Sequence, residues 1–325
     1  MEQSGLNPPE SAQIWAISDG RAGNARQAEA LAEALAGGAE IGRLLLTPRA
    51  PWRWAAPRHL PGAGAAFGPG FARLLAAPPR IAVGCGRQAA LATRLLRGAG
   101  ARAVQILDPR IDPGHWDLLV VPEHDRLRGG RVLTALGSLH PVDETWLAQA
   151  RAAFAPLADL PRPRTAVLLG GGSRHLDFGA AGFARLADVL DGVIAREDGS
   201  IMATASRRSP PELRSALEQR WGHAPHLVWC GPEDGPNPYP GLLAWADRIL
   251  CSADSVNMVS EACATAAPVF VFEPETARGG PRRFLDGLLA RGRIRAMDAT
   301  LAPFEATPLR ETARVAELVR ARLAP

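Results

Sequence analysis

Short apolar runs in this chain are followed by polar residues whose types and spacing could bind a ligand or take part in catalysis. The run at 248–251 ends at Ser252, and Ser255 is a helix N-cap residue type at the predicted start of a helix. A helix that begins after a parallel strand offers free backbone N–H groups to a phosphate. Ser260 and Glu261 lie on the polar face of this helix, where Glu261 would accept hydrogen bonds from a ribose diol. The alternative is that Asp254 or Ser255 only caps the helix and that Glu261 is a surface acid.

A second polar turn joins the first predicted strand, at 13–18, to the helix predicted at 25–36. It contains Asp19, Arg21 and Asn24 together with two glycines, which allow a ligand to approach the backbone closely. Arg21 and Asn24 are candidate donors to a phosphate or sugar, and Asp19 is a candidate general base. The alternative is a tight turn in which Asn24 caps the helix.

Two further turns in the first half follow buried strands. Gly86 and Arg87 stand between the strand at 80–83 and a helix, and Glu123 and His124 follow the strand at 117–121. Open parallel sheets bind ligands at this end of their strands. His124, beside carboxylates, is a second candidate for the general base. Alternatively, His124 bonds to the backbone of its own loop.

The second half repeats the pattern of strands followed by glycine-rich or polar turns. Adjacent arginines after the strand at 200–203 would bind a diphosphate in bidentate fashion, with solvation at the surface as the alternative. The candidate ligand contacts in these turns are Gly171, Gly172, Ser173, Ser206, Arg207, Arg208 and Asn237.

The order of predicted elements indicates two domains. Strands and helices alternate before residue 156 and again from residue 165, which is typical of α/β folds with parallel sheets. The prolines and arginines at 161–164 predict a linker. We therefore expect domains at 1–160 and 161–306, with a helix at about 307–325 packing back on the first domain.

Composition limits the class of protein. The chain has 325 residues, of which 47% are hydrophobic, and a net charge of +4 in which every basic residue is arginine. Acids are interspersed with the arginines, so we expect small anionic ligands or an acidic membrane surface and no nucleic acid. The proline-rich excursion at 47–79 is expected to be a lid, a partner surface or a membrane-facing patch.

The cysteines and histidines do not predict a metal centre. Four cysteines and seven histidines lack the spacing of zinc ligands, so we expect no metal, no prosthetic group and reduced thiols. The sequence shows neither a signal peptide nor an apolar run that would span a membrane. A cytoplasmic protein is therefore expected, with attachment to the inner face of the membrane as the alternative.

The motifs, taken in chain order, resemble those of the mitochondrial-fission "elongated mitochondria" family, whose bacterial members are labelled domain of unknown function or nucleoside-diphosphate-sugar epimerase. The resemblance covers almost the whole chain and is carried by the segments at 19–24, 85–87, 105–110, 121–125, 206–208, 237–239, 246–247 and 252–261. Arg282 and Leu285 depart from the family pattern, which has a lysine and a Phe-His pair in that loop.

The family is similar to GT-B glycosyltransferases, which implies an α/β fold of two doubly wound, Rossmann-like domains facing a cleft. Residues 252–268 are similar to the donor-binding element of the peptidoglycan lipid-linked N-acetylglucosaminyl transferase. The resemblance implies that Ser255 and Ser260 lie near the pyrophosphate and Glu261 at the ribose of a nucleoside-diphosphate sugar. The epimerase label fits poorly, because the chain lacks lysine and a G-x-G-x-x-G motif.

Two hypotheses of different kinds follow. The first is a metal-independent glycosyl transfer from a nucleotide sugar bound by the second domain to an unknown envelope or lipid-linked acceptor on the first. The second is a catalytically silent scaffold of the same fold that acts through protein or membrane-surface partners.

Overall fold

The chain forms two compact units in a computed structural model that describes residues 12–172, 176, 178–206 and 209–324. The first unit comprises residues up to Pro141 together with Glu311 onwards, and the second comprises Val142–Arg310. Each unit contains one parallel sheet of six strands. The predicted α/β class with two Rossmann-like units is therefore confirmed.

The sheet of the first unit has the strand order β2-β1-β3-β4-β5-β6. Its strands and helices are β1 (Ile14–Ser18), α1 (Ala22–Ala36), β2 (Gly42–Leu45), α2 (Trp52–Ala55), α3 (Pro69–Ala76), β3 (Ile81–Cys85), α4 (Arg87–Gly98), β4 (Arg102–Ile106), β5 (Leu118–Pro122), β6 (Val132–Ala135) and, at the end of the chain, α11 (Glu311–Leu323).

Apolar layers cover both faces of this sheet. Strands β1, β3 and β5 are buried along their whole length, as expected for central parallel strands with continuous apolar sequences. Helices α1 and α11 contribute to the core on one face. Helix α4 and part of the excursion at 47–79, which includes α3, pack on the other.

Helix α11 completes the core of the first unit. Val315, Ala316 and Val319 are buried in the same cluster as residues of α1. The backbone N–H of Leu136 donates to the carboxylate of Glu311 at 2.7 Å, which ties the start of α11 to the segment after β6. The last helix is thus part of the first unit although 169 residues of the second unit precede it in sequence.

The sheet of the second unit has the strand order β12-β11-β10-β7-β8-β9. Its strands and helices are α5 (Glu144–Ala153), β7 (Arg164–Leu169), α6 (Ala180–Glu197), β8 (Ser200–Ala205), α7 (Pro211–Trp221), β9 (Leu227–Trp229), α8 (Tyr239–Trp245), β10 (Arg248–Ser252), α9 (Val256–Ala262), β11 (Val269–Phe272), α10 (Gly279–Ala290) and β12 (Ile294–Ala296).

Helix α5 lies in the second unit, whereas a boundary at residue 160 assigns it to the first. It packs against α8, where Gly241 leaves room for Phe154: a Cβ on Gly241 would lie 2.6 Å from that side chain. The Arg151 side chain also donates to the Ala244 carbonyl at 3.0 Å. Burial against α8 therefore assigns this helix, and the proline-rich segment after it is not the point where the units divide.

No helix in the described part of the chain combines the length and the apolar character that crossing a bilayer requires.

Candidate functional site

Each sheet has one point where the strand order reverses, between β1 and β3 in the first unit and between β7 and β10 in the second. The connections leaving two such strands run to opposite sides of the sheet, which opens a crevice at the carboxyl ends. We call the residues at these points the first edge site (Asp19, Asn24 and Gly86) and the second edge site (Gly170, Ser252 and Asp254).

In the first edge site, a hydrogen-bond chain fixes the carboxylate of Asp19. The Asn24 side-chain amide donates to Asp19 Oδ1 at 3.0 Å, and the Arg21 backbone N–H donates to the same oxygen at 3.3 Å. Helix α1 begins at Ala22, so Asn24 lies in its first turn and does not cap it. The alternative of a simple Asn24 cap is therefore wrong, and Asn24 instead orients an acid at the end of β1.

Glycine is required at position 86 because Asn24 and Asp19 fill the space above it. A Cβ there would lie 2.4 Å from the Asn24 amide nitrogen, and the φ angle of 92° is one that other residues rarely adopt. The neighbouring Cys85 thiol donates to Asn24 Oδ1 at 3.7 Å. Burial, and then the negative charge of Asp19, raise the pKa of this thiol, so Cys85 is a neutral packing residue.

The structure does not bring the other candidates of the first unit together with Asp19. Arg87 begins α4 and its side chain donates to the Arg53 carbonyl at 3.3 Å. Glu123 and His124 follow β5, which is separated from β1 by β3 and β4, or about 14 Å at the usual strand spacing. Asp19 and His124 are therefore separate candidates for the base, and the geometry orients Asp19.

In the second edge site, three hydrogen bonds connect the ends of β7, β8 and β10. The backbone N–H of Gly170 donates to Ser252 Oγ at 2.8 Å, and Ser252 Oγ donates to Asp254 Oδ1 at 2.6 Å. The hydroxyl of Ser209 donates to the Gly170 carbonyl at 3.1 Å. These bonds hold the first turn after β7 against the turn after β10.

The carboxylate of Asp254 lies directly over Gly170. A Cβ on Gly170 would lie 2.0 Å from Asp254 Oδ2, so any side chain there would displace the carboxylate. Asp254 is 6% exposed, and its Oδ2 has no hydrogen-bond partner among the described residues. The helix cap is Ser255, whose hydroxyl accepts from the Met258 N–H at 3.3 Å, so Asp254 does not cap α9.

Helix α9 is short and buried in its second half. Ser260 and Glu261 are 4% and 5% exposed, and the Ser260 hydroxyl donates to the Val256 carbonyl at 2.7 Å. The expected division of this helix into a buried face and a polar outer face is thus wrong from Val259 onwards, where every residue is buried. The alternative of Glu261 as a surface acid is also wrong, since surrounding residues cover it.

A buried arginine, which sequence reasoning missed, closes the other end of α9. The Arg293 guanidinium donates to the Cys263 carbonyl at 3.0 Å and the Thr265 carbonyl at 2.8 Å. Its burial lowers the pKa of Arg293, and no carboxylate pairs with it among the described residues. Carbonyls at a helix C-terminus attract a cation, so Arg293 holds the helix that carries Glu261.

The remaining candidates of the second unit differ in how far the structure locates them. Gly171 and Gly172 follow β7, and Gly172 has a φ of 72° that favours glycine. Ser206 follows β8, and the Asn237 side chain accepts from the Tyr239 N–H at 3.0 Å, which shapes its own loop. Ser173, Arg207 and Arg208 lie outside the described residues.

A cavity of about 350 Å³ lies at the same edge of the sheet, between the start of α6 and the end of β11. Phe178 and Phe272 line it, with ring centres 6.3 Å apart. At its rim Arg185 binds both carboxylate oxygens of Glu273, at 3.0 and 2.8 Å. The run of small residues at 179–182 was the sequence signal for this space, because only small side chains leave the start of α6 open.

Solved structures with the same fold define its class. MurG from Acinetobacter baumannii matches with a TM-score of 0.53 and 13% identity, over 95% of this chain and 99% of that one. A UDP-GlcNAc 2-epimerase from Methanocaldococcus jannaschii matches with the same TM-score, identity and coverage. The protein therefore has the GT-B fold of two Rossmann-like domains.

The chain belongs to the mitochondrial fission ELM1 family, whose model matches residues 22–323. The mitochondrial fission protein ELM1 of Arabidopsis thaliana is 30% identical over 277 residues, which are 76% of this chain and only 64% of the plant protein's length. An uncharacterised protein of Rickettsia prowazekii is 24% identical over 94% of this chain and 97% of its own. The expected family is confirmed.

Proposed function

We propose that the second unit binds a nucleoside-diphosphate sugar at the second edge site and the cavity beside it, as the donor in a glycosyl transfer. The observation that carries this proposal is the polar cluster of Gly170, Ser252 and Asp254 at the reversal of strand order, with a cavity of about 350 Å³ at the same sheet edge. Cavities of this size, lined by aromatic side chains and a few polar groups, are typical of small-molecule sites.

The parts of the ligand are assigned by chemistry. The Phe178 and Phe272 rings suit a planar base or the apolar face of a sugar. Backbone N–H groups of the glycine-rich turn after β7 suit the diphosphate, together with Ser173, Arg207 and Arg208. Ser255 and Ser260 stay candidates beside the diphosphate, and Glu261 stays the candidate contact of the ribose diol.

Transfer itself requires a base for the acceptor hydroxyl and stabilisation of the leaving diphosphate. Asp19, oriented by Asn24 and Arg21, is our candidate for the base, with His124 second, and the first unit would hold the acceptor. Arginines and backbone N–H groups stabilise a leaving diphosphate without a metal ion. UDP-GlcNAc is the first donor to test, because the epimerase with the same fold is named for it.

We predict that filling the cavity weakens donor binding. Ala181 is exposed and lines the cavity, so Ala181→Trp would place an indole in the space of the ligand. Calorimetric titration with UDP, GDP, ADP, CDP, dTDP and their sugars should give a dissociation constant at least about 10-fold higher than that of the wild type, a loss of about 1.4 kcal/mol.

The matched control is Ala184→Trp, on the exposed side of the same helix and outside the cavity lining. It should bind like the wild type. Glu261→Gln should weaken the binding of nucleosides and of nucleoside diphosphates by the same factor if the acid contacts the ribose. A panel in which no nucleotide binds the wild type contradicts the proposed function, and equal binding by both tryptophan variants removes the cavity from it.

A specific observation also favours attachment to an anionic surface as a second candidate function. Residues 41–107 contain ten arginines and no aspartate or glutamate, so the expected interspersion of charges fails over this segment. Arg43, Arg97 and Arg102 pair with acids from elsewhere. The other arginines of this segment have no acidic partner among the described residues and make the segment positive, whereas the rest of the chain has a net negative charge.

Four of these arginines lie in, or contact, the short segment that carries an exposed tryptophan. Trp54 is 70% exposed on α2. Arg53 is its neighbour, Arg49 accepts the backbone N–H of Arg53 at 2.9 Å, and Arg87 donates to the Arg53 carbonyl. Arg58 is exposed at the end of the same turn, and none of the four forms an ion pair with a described residue. Arginines beside a tryptophan suit the headgroup region of an anionic bilayer.

We predict that Arg53→Glu/Arg58→Glu weakens binding to phosphatidylglycerol-containing vesicles by about 30-fold, because each basic residue near an anionic surface contributes about 1 kcal/mol. Cosedimentation measures this loss. Arg126→Glu/Arg278→Glu changes two other exposed arginines by the same charge and should bind nearly as the wild type does. Equal binding to pure phosphatidylcholine vesicles, or an equal loss in the control, contradicts this candidate.

A further inference from the structure

Three potential metal ligands converge at the edge strand of the second unit. Glu218 lies on α7, Cys230 follows β9, and Asp234 ends the 3₁₀ helix Pro232–Asp234. One oxygen of each carboxylate and the thiol sulfur all lie within 4.8 Å of one another. The group is therefore a compact triangle of one soft and two hard ligands, supplied by three separate elements.

The backbone around the triangle orients two of its members. Asp234 Oδ2 accepts from the backbone N–H groups of Cys230 at 2.7 Å and Gly231 at 3.2 Å, which fixes the carboxyl group beside the thiol. The Trp229 indole donates to the Gly235 carbonyl at 3.0 Å and closes the loop that carries Asp234. In known metal centres, hydrogen bonds from surrounding groups hold the ligating side chains in place in the same way.

The three side chains differ in solvent exposure, and this leaves one side of the triangle open to an ion. Cys230 is 3% exposed and forms the floor, while Glu218 and Asp234 are exposed and form an open rim. The Cys230 thiol contacts the Arg214 carbonyl at 3.9 Å and forms a hydrogen bond with the Glu218 carboxylate. An ion would thus enter from solvent between two carboxylates and meet the sulfur beneath them.

We propose that Glu218, Cys230 and Asp234 bind a zinc-like divalent cation. A thiolate with carboxylates selects Zn²⁺ over Mg²⁺ and Ca²⁺, which prefer oxygen ligands alone. Tetrahedral Zn²⁺ takes four ligands, and water would supply the fourth from the open side. The two carboxylates provide the charge that attracts the ion, opposed in part by Arg214.

Binding exchanges one proton for the ion and involves no redox step. The Cys230 sulfur gives its proton to solvent and forms a bond to the metal, while each carboxylate binds through one oxygen. The site would join α7, β9 and the proline-rich loop that follows, so its role is to fix this corner of the unit.

The site is independent of the proposed transfer. Strand β9 is separated from β7 by β8, which puts the triangle about 10 Å along the sheet edge from Gly170. No step of the transfer uses it. The sequence did not predict a metal site, because Glu218 and Cys230 are twelve positions apart and no histidine or second cysteine completes a known spacing.

The test is a titration of the full-length protein, stripped with a chelator, with Co²⁺ as a spectroscopic substitute for Zn²⁺. We expect one equivalent to produce a sulfur-to-cobalt charge-transfer band in the near ultraviolet, and Zn²⁺ to remove it by competition. Cys230→Ser should abolish the band. Glu218→Gln should lower the affinity for Co²⁺ by about tenfold or more. Glu212→Gln changes an acid on the same helix but outside the triangle, and it should leave the affinity unchanged.

Several results would overturn the proposal. These are the absence of a charge-transfer band with excess Co²⁺, a band that persists in Cys230→Ser, and equal affinities of Glu218→Gln and Glu212→Gln. Because Glu218 is exposed, its substitution tests the site even if Cys230→Ser does not fold. Nucleotide binding in the calorimetric panel reports on a different site, so neither outcome decides the other.

Discussion

Gly170→Ala is expected to lower the free energy of unfolding by about 3 kcal/mol, since the new methyl group would overlap a buried carboxylate. The Cβ would lie 2.0 Å from Asp254 Oδ2, and the Ser252 hydroxyl holds that carboxyl group at 2.6 Å. Relief of the overlap would displace the carboxylate and break its bond with the Ser252 hydroxyl, which also accepts from the Gly170 N–H at the end of β7. Chemical denaturation measures the change.

A double-mutant cycle makes this expectation specific. Asp254→Ala removes the carboxylate, so in the Asp254→Ala background Gly170→Ala should change the free energy of unfolding little. The coupling free energy between the two positions should be about 2 kcal/mol. Gly192→Ala is the matched control, because no atom lies within 4 Å of its Cβ position in α6, and it should stabilise the protein by about 1 kcal/mol. Additive effects of the Gly170 and Asp254 substitutions would contradict the packing described here.

Asp247→Asn is expected to destabilise the second unit by about 2 kcal/mol, because it leaves a buried arginine without its counter-charge. Asp247 Oδ2 accepts from both the backbone N–H and the side chain of Arg164, at 2.8 and 3.2 Å, and Oδ1 accepts from Arg162 at 2.5 Å. Arg164 is buried, whereas Arg162 is largely exposed, so solvent screens part of the interaction.

The effect should depend on pH in a defined direction. Burial raises the pKa of Asp247, but the Arg164 N–H and the two guanidinium groups outweigh it, so the pKa in the folded state lies below the ordinary value. A carboxyl group of this kind stabilises the fold fully above its unfolded pKa of about 3.9 and loses the contribution as the pH falls through the folded pKa.

The difference between wild type and Asp247→Asn should therefore be constant near neutral pH and shrink in acid. Denaturation curves at several pH values measure it. Asp286→Asn breaks an exposed pair with Arg282 and should cost a few tenths of a kcal/mol, about the value of an i, i+4 pair. A loss of similar size in both variants would contradict the role of Asp247.

The sequence predicted the fold class because the central strands are continuous apolar runs. Ile14–Ser18, Ile81–Cys85 and Arg248–Ser252 are buried throughout, and each is followed by a helix of regular period. The short strands β2, β6 and β12 were not predicted. They lie at or near the sheet edges and contain exposed polar residues such as Arg43 and Arg295, so their local sequences resemble loops.

The candidate site was predictable only in part, for the same physical reason. The sequence identifies polar residues at strand ends, and Asp19, Asn24 and Gly86 do lie together. It does not show which side chain a distant glycine must accommodate, as Gly170 does for Asp254, or which residue covers Glu261. Such packing joins residues far apart in the chain, while local periodicity reports on neighbours. The roles assigned to Ser173, Arg207 and Arg208 stay predictions.

Helix α11 has a consequence for the order in which the molecule is completed during synthesis. Val315, Ala316 and Val319 fill part of the core of the first unit, yet the ribosome adds them only after the whole second unit. The second unit is one continuous segment and emerges whole before them. Of the two units, the one whose synthesis begins first is therefore the one completed second, and until α11 has been synthesised its α1 face lacks part of its apolar cover.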